Sequence, residues 1–325
     1  MRAPEFWDRD GTLARCLAPL GAAYGWVVAH RLAEADEYRP AVPVICVGNI
    51  VAGGAGKTPV AIALTRHLLA AGRRPHLLTR GYGGTEVGPR AVDPDRHDAA
   101  RVGDEALLLA AEAPTWVARW RPDGAVAAVA TGADIIVMDD GFQNGTIAKD
   151  LSLVVVNGAY GFGNGRTMPA GPCREPPERG LARADAMVIV GDDRTAAAAL
   201  AERAGVAVLH ARLIPGPEGA ELAGRKVVAF AGIGHPEKFF DSLKQCGARL
   251  VTTNSFPDHH PYARAEIEDL LAEAEANDAI AITTAKDRVR LPEDLRRKIA
   301  VLPVTLEWRD PGTLTPLLDR VGVRA

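Results

Sequence analysis

Residues 44–60 read VICVGNIVAGGAGKTPV. The apolar run Val44–Val47 has the pattern of a strand buried on both faces. Glycines 53, 54 and 56 follow, then Lys57 and Thr58, and Val60, Leu64 and Leu68 continue with helical spacing. Strand, glycine loop and helix in this order are the context of a phosphate-binding loop. Gly53, Gly54, Ala55 and Gly56 can turn backbone N–H groups inward, and the helix N-terminus adds a positive dipole end. Lys57 is then placed to reach the β- and γ-phosphates of a nucleotide, and the Thr58 hydroxyl to ligate Mg²⁺. The common spacing GxxxxGK[ST] puts a glycine at position 51, where this chain has Val51. The approach to the loop therefore differs in detail. The plainer alternative is a glycine-rich turn carrying a surface lysine.

Outward from this loop, apolar β-rich runs alternate with helical patterns. Strands are expected at Val42–Val47, Pro75–Thr79, Thr115–Ala118, Asp134–Met138 and Leu151–Val156. A later set covers Ala186–Val190, Val206–Leu209, Val227–Ala231, Arg249–Thr252, Ala279–Thr283 and Val301–Val304. This alternation predicts an α/β fold with a mostly parallel sheet. The 325 residues suit about two domains. Residues 161–180 (GFGNGRTMPAGPCREPPERG) are dense in Gly, Pro and Arg and read as a loop or linker. The expected division is 1–160, then 161–304, with a tail from 305 to 325.

Other motifs fall at expected strand ends. IIVM leads into Asp139-Asp140-Gly141, as in a strand whose terminal Asp holds Mg²⁺ directly or through water. Asp104 and Glu105 open an apolar helical run. They read either as a helix cap or as a carboxylate pair in which one member takes a proton and the other helps with the metal. Arg80 and Tyr82 (RGYGG) and Arg119 and Arg121 emerge at the sheet edge where α/β proteins bind ligands. Asp258-His259-His260 lacks a third ligand at helpful spacing for a metal site. Lys286 is directly followed by Asp287, so the NKxD guanine-reading pattern is absent.

Composition sets the outer limits. A 47% hydrophobic content and a net charge of −3 exclude a mainly disordered chain. A pI near 6.3 argues against a dedicated nucleic-acid binder. Cys16, Cys46, Cys173 and Cys246 form no CxxC pair, so free thiols are expected. Residues 16–29 (CLAPLGAAYGWVVA) carry no charge but are too few to span a bilayer. Trp7, Tyr24, Trp26, His30 and Arg31 around them suit an interfacial helix, with a core-packed helix as the alternative.

Taken together, the chain resembles the tetraacyldisaccharide 4′-kinase family of lipid A biosynthesis. The likeness is carried by VPVICVGNIVAGGAGKTPV, LLTRGYGG, VGDEALLLA, IIVMDDGFQN, NGRTMPAGPCREP, AFAGIGHPEKFF, SFPDHHPY and TTAKDRVRLP, in that order. The family's loop also lacks the early glycine. The resemblance implies two α/β/α domains joined by a linker ribbon, the first a P-loop NTPase-type sheet, with the active site between them. It implies Mg-ATP-dependent phosphorylation of the 4′-hydroxyl of tetraacyldisaccharide 1-phosphate, giving lipid IVA. It also implies a peripheral protein on the cytoplasmic face of the inner membrane, docked through the N-terminal helix. No nucleic acid or obligatory protein partner is expected. Carried over by motif, Asp104 is the base, His259 its partner, and Lys57 and Arg121 further catalytic residues. Thr58, Glu105, Asp139 and Asp140 fall on the metal side, and Arg80, Tyr82, Gln143, Asn144 and Arg174 on the acceptor side. Asn144 departs from the family's usual His and cannot titrate. The competing reading is a P-loop ATPase switch acting on a protein partner.

Overall fold

A computed structural model of the chain describes residues 4–323. The strands are β1 (Val44–Gly48), β2 (Pro75–Thr79), β3 (Arg90–Ala91), β4 (Thr115–Val117), β5 (Ile135–Asp139), β6 (Leu151–Asn157), β7 (Ala186–Val190) and β8 (Ala207–Pro215). They continue as β9 (Lys226–Ala231), β10 (Arg249–Ser255), β11 (Ile280–Thr284), β12 (Ala300–Leu302) and β13 (Val304–Trp308). Nine of them form one sheet in the order β13-β8-β7-β6-β1-β5-β2-β4-β3, and four form a second in the order β10-β9-β11-β12. In the large sheet only the edge strands β3 and β13 run antiparallel.

The phosphate-loop strand is central: β1 lies between β5 and β6, parallel to both, with every residue buried. Its neighbours β5 and β6 are buried too, apart from Asn157 at the end of β6, as both-face coverage demands. Helix α2 (Lys57–Ala70) covers one face through Val60, Leu64 and Leu68, all fully buried. Because β1, β2, β4 and β5 are parallel, their C-terminal ends share one edge. That edge carries the phosphate loop, Arg80, Arg121 and Asp139-Asp140.

The expected division at 160/161 falls inside the large sheet. β6 pairs with β7, and β8 extends the sheet further, so the second sheet begins only at Lys226. Residues 161–180 do not cross between sheets; they fold against the phosphate loop instead. The antiparallel ribbon from which the second sheet hangs is β8 with β13, where Pro215 stands opposite Val304. The run expected as one strand over 301–304 is split at Pro303, which has no N–H for a ladder. The chain leaves the small sheet before it and joins the large one after it.

Helix α1 (Thr12–Ala33) buries only Ala14, Gly21 and Gly25. At Gly21 a β-carbon would stand 2.7 Å from the Thr167 carbonyl oxygen, and the Thr167 hydroxyl donates to the Gly21 carbonyl at 2.6 Å. Trp7 Nε1 donates to the Pro169 carbonyl and Arg166 pairs with Asp10, so the helix is fixed at its start as well. Its outer face exposes Leu13, Leu20, Tyr24, Trp26 and Val27. Among the described residues no helix is long and apolar enough to cross a membrane.

Candidate active site

Gly56 has φ of 93°, a left-handed conformation that favours glycine, and it delivers the chain into α2 at Lys57. β-carbons at Gly53 and Gly54 would meet nothing within 4 Å. The loop thus encloses open space in front of a helix N-terminus, which suits a phosphate. Val51 is explained by its partner: it bridges antiparallel to Cys173 and is 4% exposed. Arg174 N donates to the Ile50 carbonyl and Ala52 N to the Pro172 carbonyl. The segment before the loop is therefore an extended strip zipped to residues 172–174, with no turn at position 51 for a glycine to relieve.

Thr58 Oγ1 donates to Asp139 Oδ2 at 3.0 Å, while Asp139 Oδ1 is buried with no partner. Burial pushes the Asp139 carboxyl up to about 6, against the pull of Lys57. An orphaned carboxylate oxygen beside a hydroxyl fits a hard divalent cation. Asp140 follows with φ of 54° and meets Lys57 Nζ at 3.6 Å and Arg174 Nη1 at 3.0 Å. Burial opposes its ionisation, but those two cations outweigh it and hold Asp140 below the usual carboxylate range.

Arg121 is 3% exposed and donates to the Ala118 carbonyl. Burial, then the neighbouring Arg80, lowers it to about 10, so it stays cationic near neutrality. Gln143 Nε2 donates to Glu175 Oε1 and to the Asn49 carbonyl, and Arg174 reaches Gln143 Oε1 at 3.4 Å. Gln143 thus ties the acidic turn to the strip beside the phosphate loop. Asn144 is used differently: its Oδ1 accepts from Thr146 N and Thr146 Oγ1, spending that oxygen on its own turn.

Asp104 opens its helix after Gly103, whose φ is 87° and whose β-carbon would lie 2.4 Å from the Tyr82 carbonyl oxygen. RGYGG and VGDE are therefore one packed unit that fixes where Asp104 starts. Gly103→Ala is expected to cost about 1–3 kcal/mol and to lower kcat by displacing Asp104. Thermal unfolding with steady-state kinetics checks this; a variant with unchanged kcat would refute the displacement.

The Asp104 carboxyl meets three groups from the second sheet's loops. His259 Nδ1 lies 3.0 Å from Oδ2, Arg290 Nε 3.3 Å and Lys286 Nζ 3.9 Å. The first two contacts lie off the straight hydrogen-bond line, so they act as ion-pair contacts. Burial opposes Asp104 ionisation, but His259, the Glu105 hydrogen bond and Lys286 together keep its carboxyl well below the ordinary range. Glu105 is pushed the other way by burial and by Asp104. Its Oε1 meets Lys286 at 3.0 Å and its Oε2 is buried without a partner. Tyr82, itself exposed, sets its ring edge-on to His259 at 5.9 Å. Asp104, Glu105 and His259 also offer ligand atoms within 4.8 Å of one another. Lys286 and Arg290 already supply positive charge there.

Lys57, Thr58, Arg121, Asp139, Asp140, Gln143 and Arg174 thus gather on the large sheet's edge, and Asp104, Glu105, His259 and Tyr82 meet across the two sheets. Arg80 is exposed on the same edge. Sequence reasoning left Lys286 undecided and missed Arg290. Both lie in TTAKDRVRLP, one of the stretches that carry the family likeness, and Lys286 stands just after β11, but neither signal assigns a role. Both hang on Asp287, which is fully buried and accepts from Gly232 N, Tyr262 Oη and Thr284 Oγ1.

The sequence model of a family described as "LpxK: Tetraacyldisaccharide-1-P 4'-kinase" matches residues 13–322. A protein named tetraacyldisaccharide 4'-kinase from Paramagnetospirillum magneticum is 75% identical, covering 100% of both chains. One of the same name from Rhodospirillum rubrum is 53% identical, covering 99% of this chain and 98% of its own. In fold, the chain is similar to the solved structure of LpxK from Aquifex aeolicus, described as the "apo" form in complex with ATP. The TM-score is 0.76 at 24% identity, covering 95% of this chain and 99% of that one.

Proposed function

The chain belongs to the tetraacyldisaccharide 4′-kinase family, and from that premise we propose how its own residues carry the reaction. The enzyme transfers the γ-phosphoryl group of ATP to the 4′-hydroxyl of tetraacyldisaccharide 1-phosphate, giving lipid IVA. The observation that supports the mechanistic reading best is the meeting of His259 with Asp104, residues from the two sheets' separate parts of the chain.

In this reading Gly53–Thr58 hold the ATP phosphates. Lys57 and Arg174, which pair with Asp140, would turn toward the γ-phosphate of bound ATP. Thr58 Oγ1, Asp139 Oδ1, Asp140 and Glu105 would hold Mg²⁺. When bound, the ion neutralises phosphate charge. Asp104 accepts the 4′-hydroxyl proton as the new O–P bond forms. The bridging O–P bond of ATP breaks and its electron pair leaves on ADP. An Asp is a weak base, so the contact with His259 matters for holding its carboxylate toward the acceptor. Arg121 offsets charge on the transferring group. Tyr82, Arg80 and Gln143 line the acceptor's approach; Asn144 contributes through its turn rather than through Oδ1.

The test is transfer of label from γ-labelled ATP to tetraacyldisaccharide 1-phosphate in micelles, with Lys57→Ala alongside. Label on the lipid that disappears in the variant supports the reading. Release of free phosphate with no labelled lipid points to an ATPase switch instead.

The outer face of α1 is the surface we assign to the membrane, and the family likeness supports the cytoplasmic face of the inner membrane as its place. Leu20 and Trp26 are 59% and 63% exposed there. Burying one such side chain in lipid contributes about 1.5–3 kcal/mol. Leu20→Glu with Trp26→Glu is therefore expected to weaken vesicle binding by at least about tenfold, with kcat on saturating micellar acceptor retained. Undiminished co-sedimentation with vesicles would count against this face.

A further inference from the structure

Gln143 stands in the turn after β5 with both of its amide hydrogens spent on the protein. Nε2 donates to Glu175 Oε1 at 3.0 Å and to the Asn49 carbonyl at 2.9 Å. A side-chain amide nitrogen carries two hydrogens, whereas a carboxylate and a carbonyl only accept. The nitrogen must therefore face these two oxygens, and the amide cannot be turned over. Its Oε1 is left on the side of Arg174. Arg174 Nη1 reaches that oxygen at 3.4 Å, a long contact, and an amide oxygen has two lone pairs.

Glu175 is 4% exposed, and a carboxylate so deeply buried needs a cation. Arg183 supplies it: Nη2 donates to Oε1 at 2.6 Å and to Oε2 at 2.5 Å. Arg183 also lays its guanidinium over the Phe142 ring at 4.6 Å and donates Nη1 to the Phe142 carbonyl at 3.4 Å. It thus grips the residue next to Gln143. Gly180 makes room for the pair, since a β-carbon there would stand 2.4 Å from Ile50 Cδ1 and 3.6 Å from Glu175 Cδ.

We propose that Glu175, neutralised by Arg183, is a positioning residue that fixes the Gln143 amide so that it meets the lipid acceptor with its oxygen alone. Gln143 then takes a hydrogen-bond donor of the acceptor, a hydroxyl or an N–H, and disfavours a phosphate or ester oxygen at the same place. This rests on Gln143 lining the acceptor's approach, as read above. Glu175 acts through the place of one oxygen rather than through its charge: Oε1 alone accepts from both Gln143 and Arg183. A glutamine at 175 can keep that oxygen in place. An aspartate keeps the charge but withdraws the oxygen by one methylene.

The chain has two glutamines, Gln143 and the exposed Gln245. Selective ¹⁵N-glutamine labelling of the full-length protein therefore gives two side-chain NH₂ pairs, and Gln245→Ala assigns them. The Gln143 pair is expected to exchange with water at least about tenfold more slowly than the Gln245 pair. Glu175→Asp should remove most of that protection. It should also lower kcat/KM for the lipid acceptor on the order of 10–100-fold, with the KM for ATP within about twofold of wild type. Glu175→Gln should keep the protection and stay within about threefold of the wild-type kcat/KM. An ion pair that only supports the fold would give the reverse order, because Asp keeps the charge and Gln loses it, and that order overturns the proposal. So does a wild-type Gln143 pair that exchanges as fast as Gln245, or a Glu175→Asp enzyme with wild-type kcat/KM. Should Glu175→Asp fail to fold, the wild-type exchange and Glu175→Gln still decide: a Glu175→Gln loss of about tenfold or more in kcat/KM for the acceptor overturns the proposal. Near-normal acceptor kcat/KM in Gln143→Ala would remove the acceptor reading while leaving the amide result standing, so the two failures are distinguishable.

Discussion

Asp104→Asn is expected to lower kcat about 10³-fold, within the usual reach of general base catalysis, while ATP binding stays within about twofold of wild type. The substitution keeps the shape and removes only the proton acceptor. Among the described residues Asp104 makes no hydrogen bond or ion pair to the phosphate loop, so calorimetric ATP affinity is the internal control. The change also leaves Arg290 facing an amide. Arg290 is 6% exposed and keeps Asp287 at 3.4 Å, so its charge remains partly compensated. A modest loss of thermal stability is therefore expected, and kinetics are compared well below the variant's midpoint. An Asp104→Asn enzyme with near-normal turnover would sink the assignment.

Asp139→Asn should be as severe for turnover, with losses of about 10²–10³-fold or more, and it carries a pH signature. Burial places the folded Asp139 at about 6, above the ordinary value near 3.9. Between those pH values the folded chain keeps a proton that the unfolded chain has released. Stability therefore falls as pH rises through that window, by on the order of 3 kcal/mol if Asp139 acts alone. Above about 6 the ionised carboxylate is present at full cost. Magnesium at the Asp139–Thr58 oxygens should recover that loss. Asn does not titrate, so the variant should lack both this pH slope and most of the magnesium-dependent rise in melting temperature. Melting curves for both proteins from pH 4 to 8, with and without Mg²⁺, measure this. A magnesium effect equal in both would place the ion elsewhere.

The large sheet was legible because its strands are buried on both faces and read as unbroken apolar runs. The phosphate loop was legible because glycines, Lys57 and Thr58 sit between such a strand and a helix. The boundary was not, because Gly/Pro density marks irregular backbone without saying what it packs on. Residues 161–180 lie against Val51 and Ile50 through backbone bonds that no composition reveals. Val51 looked anomalous for the same reason. The pairing of Asp104 with His259 came only from family likeness, since nothing local links positions so far apart. Arg290 lay inside TTAKDRVRLP, a stretch that carries the family likeness, but nothing there marked which basic residue turns inward until Asp287 and Asp104 orient it. Asn144 looked exposed to acceptor, but a short amide side chain two residues before Thr146 closes on its own turn.

Pro215 and Val304, facing one another on the β8–β13 ribbon, bracket everything that makes up the second sheet. Such an arrangement is a cassette. Its two ends leave and return at adjacent rungs, so excision leaves termini that a short hairpin can close. The large sheet would keep every strand, the glycine loop and Asp139, and would lose His259, Lys286 and Arg290 in one cut. The phosphate loop and the groups that surround Asp104 are thus carried on separable pieces of the chain. An ancestral nucleotide-binding core can acquire the latter by a single in-frame insertion, without shifting the register of any strand it already had.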